Sequence, residues 1–303
     1  MGFSDKLIIN AAITGMVPTK ADNPNVPVSP DEIIADVRRC VNAGAAIVHL
    51  HARDEAGQPT YQKAIYRQIL RGIREQCPDV ILCVSTSGRI FKSFEERSEV
   101  LELDDPAPEM ASLTLGSMNF ARTESVNSPD MIKALAKKMN EMNIVPEWEC
   151  FDLGMVDFSH YLVDHNILKP PFYCNLLFGS LGTLSATAFN LATAVRALPG
   201  GVTWAAAGIG RFQFQINAMA ITMGGHVRVG LEDNLWMDDE RTRQATNAEL
   251  IERLVTLAWA AGREIASPEE ARAMIGLPGR IAPVIDSSSV AALVSGIMTA
   301  QPA

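Results

Sequence analysis

The segment Ala46-Ile-Val-His-Leu-His-Ala52 sets His49 and His51 at the polar end of an apolar run. Side chains alternate faces along a strand, so residues two apart point the same way. Two imidazoles directed to one side of a strand exit have the geometry of a metal clamp, and neutral imidazole is a common ligand of zinc and similar ions. The alternative is a pair of core histidines satisfied by hydrogen bonds, an arrangement that costs more than it contributes to packing. The chain has five histidines in 303 residues, and two of them fall here.

Further polar residues interrupt apolar runs elsewhere. Arg228-Val-Gly-Leu-Glu232-Asp233-Asn234 carries Arg228 and Glu232 at the same strand parity. A buried arginine needs an anion, here Glu232, Asp233 or a substrate carboxylate. The bland reading of Glu232-Asp233 is an exposed acidic turn. Glu147 and Glu149 alternate on an apolar strand. Both cannot be structural unless each is paired, and one near the site suits an acid/base or ligand-supporting carboxylate. Ser85-Thr-Ser-Gly88 suits either an anion-binding backbone or a plain turn. His226 opens its strand and reads as structural, while His160 and His165 lie on an outer helix.

The elements that must position these groups follow from periodicity. Apolar runs predict strands over 6–15, 46–52, 80–86, 110–117, 145–152, 172–179, 202–210 and 226–233. Helical patterns lie near 30–43, 62–76, 93–103, 128–143, 154–166, 185–198, 212–224 and 247–262, with a short helix at 267–277. Ser29-Pro30, Ser128-Pro129 and Ser267-Pro268 each place a capping serine before a proline at the first helical position. Gly44 and Gly262 sit just past helix ends. Eight strand–helix units in series predict a (β/α)8 TIM barrel over 1–277. An open doubly wound sheet is the runner-up, and no Gly-x-Gly-x-x-Gly follows the first strand to support its dinucleotide-binding form. Residues 278–303 read as a tail, either disordered or laid on a neighbouring subunit.

A TIM barrel gathers its active site at the C-terminal strand ends, where these polar residues fall. Strands 8 and 2 both flank strand 1. A metal above strand 1 can therefore take His49 and His51 from one side and Glu232 from the other, an open and hence catalytic ligand set.

Bulk properties narrow the partners. The chain is 48% hydrophobic and 20% charged, with net charge -9 and no Lys/Arg run, which argues against nucleic acid or anionic lipid. The N-terminus lacks the plan of a signal peptide, and no apolar run approaches a membrane span of ~20 residues. Five scattered cysteines without a Cys-x-x-Cys pair fit free thiols in a reducing cytoplasm, with Cys83, Cys150 and Cys174 as core residues.

Together, Asn10-Ala-Ala-Ile-Thr-Gly15, His49-Leu-His51, Ser85-Thr86, Ala207-Gly-Ile-Gly-Arg211 and Gly224-Gly-His-Val-Arg-Val-Gly-Leu-Glu-Asp-Asn234 resemble the β-keto acid cleavage enzymes, whose best-known type acts on 3-keto-5-aminohexanoate. The likeness spans residues 5–277. It implies a zinc-binding (β/α)8 barrel that condenses a β-keto acid with acetyl-CoA and returns acetoacetate and a new acyl-CoA, and it suggests a homotetramer. By motif, it implies His49, His51 and Glu232 as zinc ligands and Asp233 as the base, assisted by Arg228. Ser85, Gly88 and Ser112 would hold the substrate's carboxylate end, and Glu149 would be a further active-site glutamate. One departure bears on the substrate: Val17 occupies the place where amine-cleaving members carry an acidic residue. A buried ammonium without a counter-ion is costly, so a substrate side chain R other than an amine is expected. Two rivals are a His-x-His metal-dependent hydrolase barrel and a non-catalytic barrel that binds a carboxylate metabolite. The first usually carries its His-x-His after strand 1, with two more histidines on later strands.

Overall fold

The computed structural model describes residues 6–120 and 123–278. The eight predicted runs form β1 (Ile9–Ala12), β2 (Ile47–Leu50), β3 (Ile81–Val84), β4 (Met110–Thr114), β5 (Val145–Cys150), β6 (Phe172–Phe178), β7 (Val202–Gly208) and β8 (His226–Val229). All pair in parallel and close in the order β1-β8-β7-β6-β5-β4-β3-β2. The fold is a (β/α)8 barrel, as expected. The predicted tail lies, beyond Pro278, outside the described residues.

The helices are α1 (Pro30–Ala43), α2 (Lys63–Gln76), α3 (Phe94–Ser98), α4 (Pro129–Glu141), α5 (Leu153–Asp164), α6 (Ala188–Ala197), α7 (Gln213–Thr222), α8 (Asn247–Ala260) and α9 (Pro268–Ile275). Ser29, Ser128 and Ser267 accept from backbone N–H groups of the first turn, and the proline that follows each gives up no N–H the helix could use. The third helix is shorter than its pattern: α3 has five residues and tightens into a 3-10 turn at Glu99–Glu102. No helix among the described residues is long and apolar enough to cross a membrane.

Strand alternation builds two cores. Outward residues such as Val48, Leu82, Leu113 and Trp148 pack against the helical ring. Inward residues near the strand starts (Ile47, Ile81, Met110, Val145) form a second cluster with Ala271, Ile275 and Leu277. Helix α9 thus stoppers the N-terminal mouth with apolar side chains. One pleat further along, the inward residues of six strands turn polar: Asn10, His49, Ser112, Glu147, Asn175 and Arg228 are all buried. Such groups are tolerated inside a barrel only when they bond one another or a ligand.

Candidate active site

His49 and His51 project inward from the end of β2, and Glu232 comes from the turn after β8, across β1. The His51 Nε2 lies 3.2 Å from Glu232 Oε1, and His49 Nε2 lies 3.7 Å from Glu232 Oε2. The two Nε2 atoms face each other at 3.2 Å. Glu232 Oε2 is buried and accepts no hydrogen bond from the described residues. Two imidazole nitrogens bound tetrahedrally at zinc–nitrogen distances of 2.0–2.1 Å would stand about 3.3 Å apart. The spacing, the mixed nitrogen and oxygen donors, and the orphaned carboxylate oxygen all fit a divalent metal ion.

Two glycines permit this approach of β8 to β1. At Gly230 (φ +157°) a Cβ would meet the Ala12 carbonyl oxygen at 2.0 Å. At Gly15 (φ +72°) it would meet the Glu232 Cγ at 2.7 Å, so only glycine leaves the glutamate its position. Asn247, at the start of α8, ties both strand exits together. It accepts from the Leu231 N–H and donates to the Ile13 carbonyl.

Behind the histidines, Glu147 is fully buried. It accepts from His49 Nδ1 at 2.6 Å and from the Asn10 amide at 2.5 Å, with the Cys83 thiol at 3.3 Å. That bond holds the Nδ1–H tautomer and turns Nε2 toward Glu232, the arrangement that carboxylates give metal-binding histidines. Burial pulls the His49 imidazole down, but Glu147 and Glu232 outweigh it and lift the group to about 9. Burial likewise pushes Glu147 up, while His49 and Arg228 hold it at about 2. His51 has no such carboxylate behind it, and burial lowers it.

Arg228 is the hub of the remaining acids. It donates to Glu149 and Glu232 at 2.9 Å each and to Asp233 at 3.0 Å. Burial of the guanidinium is offset by these carboxylates, which raise it well above its ordinary value. Glu149 also accepts from Thr114 at 2.7 Å. Burial dominates at Asp233 and lifts it to about 6 despite the arginine, with Glu232 adding to the rise. Its backbone carbonyl accepts from the Gly210 N–H, which anchors it to the β7 exit.

These groups line a cavity of about 240 Å³ at the C-terminal strand ends. His49, His51, Ser85, Glu149, Arg228, Glu232, Asp233 and Val17 all line it. Ser112 and Gly88 do not. The Ser112 hydroxyl accepts from the Thr86 N–H, and a Cβ on Gly88 would meet Arg97. The structure also brings Thr114 and Ser87, from the Ser85–Gly88 stretch, to the wall, and adds Arg89 and Phe120, which sequence reasoning did not select. Thr114 was visible by its alternation on β4, whereas Arg89 and Phe120 lie on loops whose path no periodicity gives. Asn10 carried a signal as one amide in an apolar strand. His226 is structural, with Nδ1 accepting from the Ile8 N–H at 3.1 Å, and His160 and His165 are exposed.

Comparison with known proteins agrees with this architecture. The model of the β-keto acid cleavage enzyme family matches residues 6–277. A 3-keto-5-aminohexanoate cleavage enzyme of Fusobacterium nucleatum is 43% identical over 274 residues, covering 90% of this chain and 98% of the relative. A 3-oxoadipate:acetyl-CoA acetyltransferase of Cupriavidus necator is 36% identical over 275 residues, covering 89% of this chain and 95% of the relative. Among solved structures, apo ObcA shares the fold with a TM-score of 0.70 at 23% identity, over 84% of this chain and 66% of that one. With a family match that begins before β1 and ends after α9, and relatives aligned over nearly their whole length, the chain belongs to the β-keto acid cleavage enzymes.

Proposed function

We propose that the protein condenses a β-keto acid with acetyl-CoA and releases acetoacetate and a new acyl-CoA. The observation that carries this reading is the placement of Asp233: a buried carboxylate, bonded to Arg228, on the wall of the cavity that also receives His49, His51 and Glu232. Zinc held by these three side chains would supply Lewis acidity toward the keto and carboxylate oxygens of the substrate.

The chain's own residues do the rest. Asp233 takes a proton from the carbon between carboxylate and ketone, and Arg228 holds the aspartate in place through two of its nitrogens. Glu149 and Thr114 fix the far side of the guanidinium, so the base keeps its orientation. The substrate carbanion attacks the acetyl carbonyl and expels the CoA thiolate. The thiolate then attacks the original ketone, the bond between that carbon and the carbanion carbon breaks, and Asp233 returns its proton to acetoacetate. No side chain forms a covalent intermediate. Ser85 lies on the cavity wall to meet the substrate's carboxylate end, with Ser112 and Gly88 shaping the loop behind it. Val17, on the cavity wall, supplies no acid of its own, which supports the expectation that an amine is not preferred. We infer a cytoplasmic homo-oligomer, a tetramer by resemblance.

The test is product identification by mass spectrometry, with acetyl-CoA and a panel of β-keto acids that includes 3-oxohexanoate and 3-keto-5-aminohexanoate. Acetoacetate with a new acyl-CoA is expected, with the amine not preferred. D233N is expected to lower kcat by about 10²–10⁴-fold, the usual contribution of a general base. Metal-dependent hydrolysis without transfer to CoA would instead favour the hydrolase, and binding without turnover the inactive barrel.

A further inference from the structure

Among the described residues, two arginines line the cavity, and they differ. Arg228 is saturated by Glu149, Glu232 and Asp233. Arg89, on the loop after β3, has no ion pair among the described residues, in a chain with 35 acidic side chains against 26 basic ones. Its guanidinium carbon lies over the Phe120 ring, 3.6 Å from the centroid, and the backbone N–H of Arg89 donates to the Ser87 hydroxyl. Its Nε is buried and has no hydrogen-bond partner among the described residues. The neighbouring Lys92, by contrast, reaches Glu124 at 3.6 Å. A half-buried guanidinium with an unused Nε, clamped on an aromatic face at the edge of a reaction cavity, is a preorganised receptor for a planar oxyanion.

We infer that Arg89 binds a carboxylate at the far end of the substrate, so that this protein selects β-keto acids whose R group is itself anionic. This rests on the cleavage reaction proposed above. The other anions of that reaction fit less well. The long pantetheine arm keeps the CoA phosphates outside a cavity of about 240 Å³ that the thioester must enter. The carboxylate common to all substrates has Ser85 and the metal end as its partners in the reaction proposed above, and so does not call on Arg89. Val17 and Arg89 then act in one sense: the first withholds a counter-ion from an amine, and the second offers one to an acid.

Two measurements test this. In turnover, wild type is compared with R89M on the chain-matched pair 3-oxoadipate and 3-oxohexanoate. Wild type should favour the diacid, and R89M should lower kcat/KM for the diacid roughly 10- to 100-fold more than for the monoacid, the value of one charge-assisted hydrogen bond. R89K, which keeps the charge without the fork, should restore part of the preference. In equilibrium titration with the unreactive acids adipate and hexanoate, wild type should prefer adipate, and R89M should lose that preference while keeping its unfolding temperature. Equal losses on both keto acids, a raised KM for acetyl-CoA with both, or no preference in wild type would each overturn the assignment. Adipate preference that depends on Arg89, without acetyl-CoA-dependent cleavage of any keto acid, would sink the cleavage reading and leave the anion site standing.

Discussion

Replacing Glu147 by glutamine isolates one charge behind the proposed metal ligands. The carboxylate accepts from His49 Nδ1 at 2.6 Å, which puts its charge roughly 7 Å from a cation held on the opposite ring nitrogen. At an effective dielectric of 20, a unit charge and a divalent ion at that distance attract by about 5 kcal/mol, which is a ceiling for E147Q. Glutamine keeps one acceptor oxygen for the imidazole N–H, and its amide would then point at the Asn10 amide, which donates at 2.5 Å today. Asn10 Oδ1 has no partner among the described residues, so a flip of that side chain turns the clash into a new bond and spares the fold. The loss should therefore fall on the metal and match what carboxylate supports of ligating histidines usually give, about 10- to 100-fold in affinity, or ~1.4–2.7 kcal/mol. The assay is zinc titration of metal-stripped protein against a chromogenic chelator, with thermal unfolding of the apo forms as the control. An E147Q protein that unfolds like wild type and binds zinc within twofold of it would refute the reasoning.

Two further outcomes follow from packing and burial. G15A adds a Cβ 2.7 Å from Glu232 Cγ at a left-handed φ. It should weaken zinc binding more than G262A, whose site is also left-handed (φ +74°) but open; the same titration checks this, and equal affinities would contradict it. Burial, reinforced by Arg263, depresses His226 from 6.5 to about 3. As pH falls below 6.5 the unfolded chain takes up that proton first, so stability is lost progressively down to about pH 3, by about 2 kcal/mol between pH 7 and 5. H226N can still accept from the Ile8 N–H and should show less acid sensitivity in urea unfolding at the two pH values. An unchanged difference would show that His226 does not titrate as argued.

Much of this was legible along the chain. Period-two alternation and capped amphipathic helices gave the barrel, because both report locally which face is buried. His49-Leu-His51 and Arg228-to-Glu232 were readable for the same reason: parity says which side chains share the barrel interior. The order of units also placed β8 and β2 either side of β1, which brought Glu232 to the histidines.

What parity does not give is depth, and depth is set by the stagger of strands around the closed barrel. Glu147 and Glu149 share a face of β5, yet one lies deep against His49 and the other higher against Arg228 and Thr114. Ser85 and Ser112 likewise look alike in sequence, and only Ser85 reaches the cavity. Arg89 on Phe120 joins loops from two different units, a contact encoded in no local pattern. The residue types that can do chemistry were thus determined by the sequence alone. Which of them touch the reacting space was decided by closure of the barrel, because a shift of one pleat exchanges a cavity wall for a buried support.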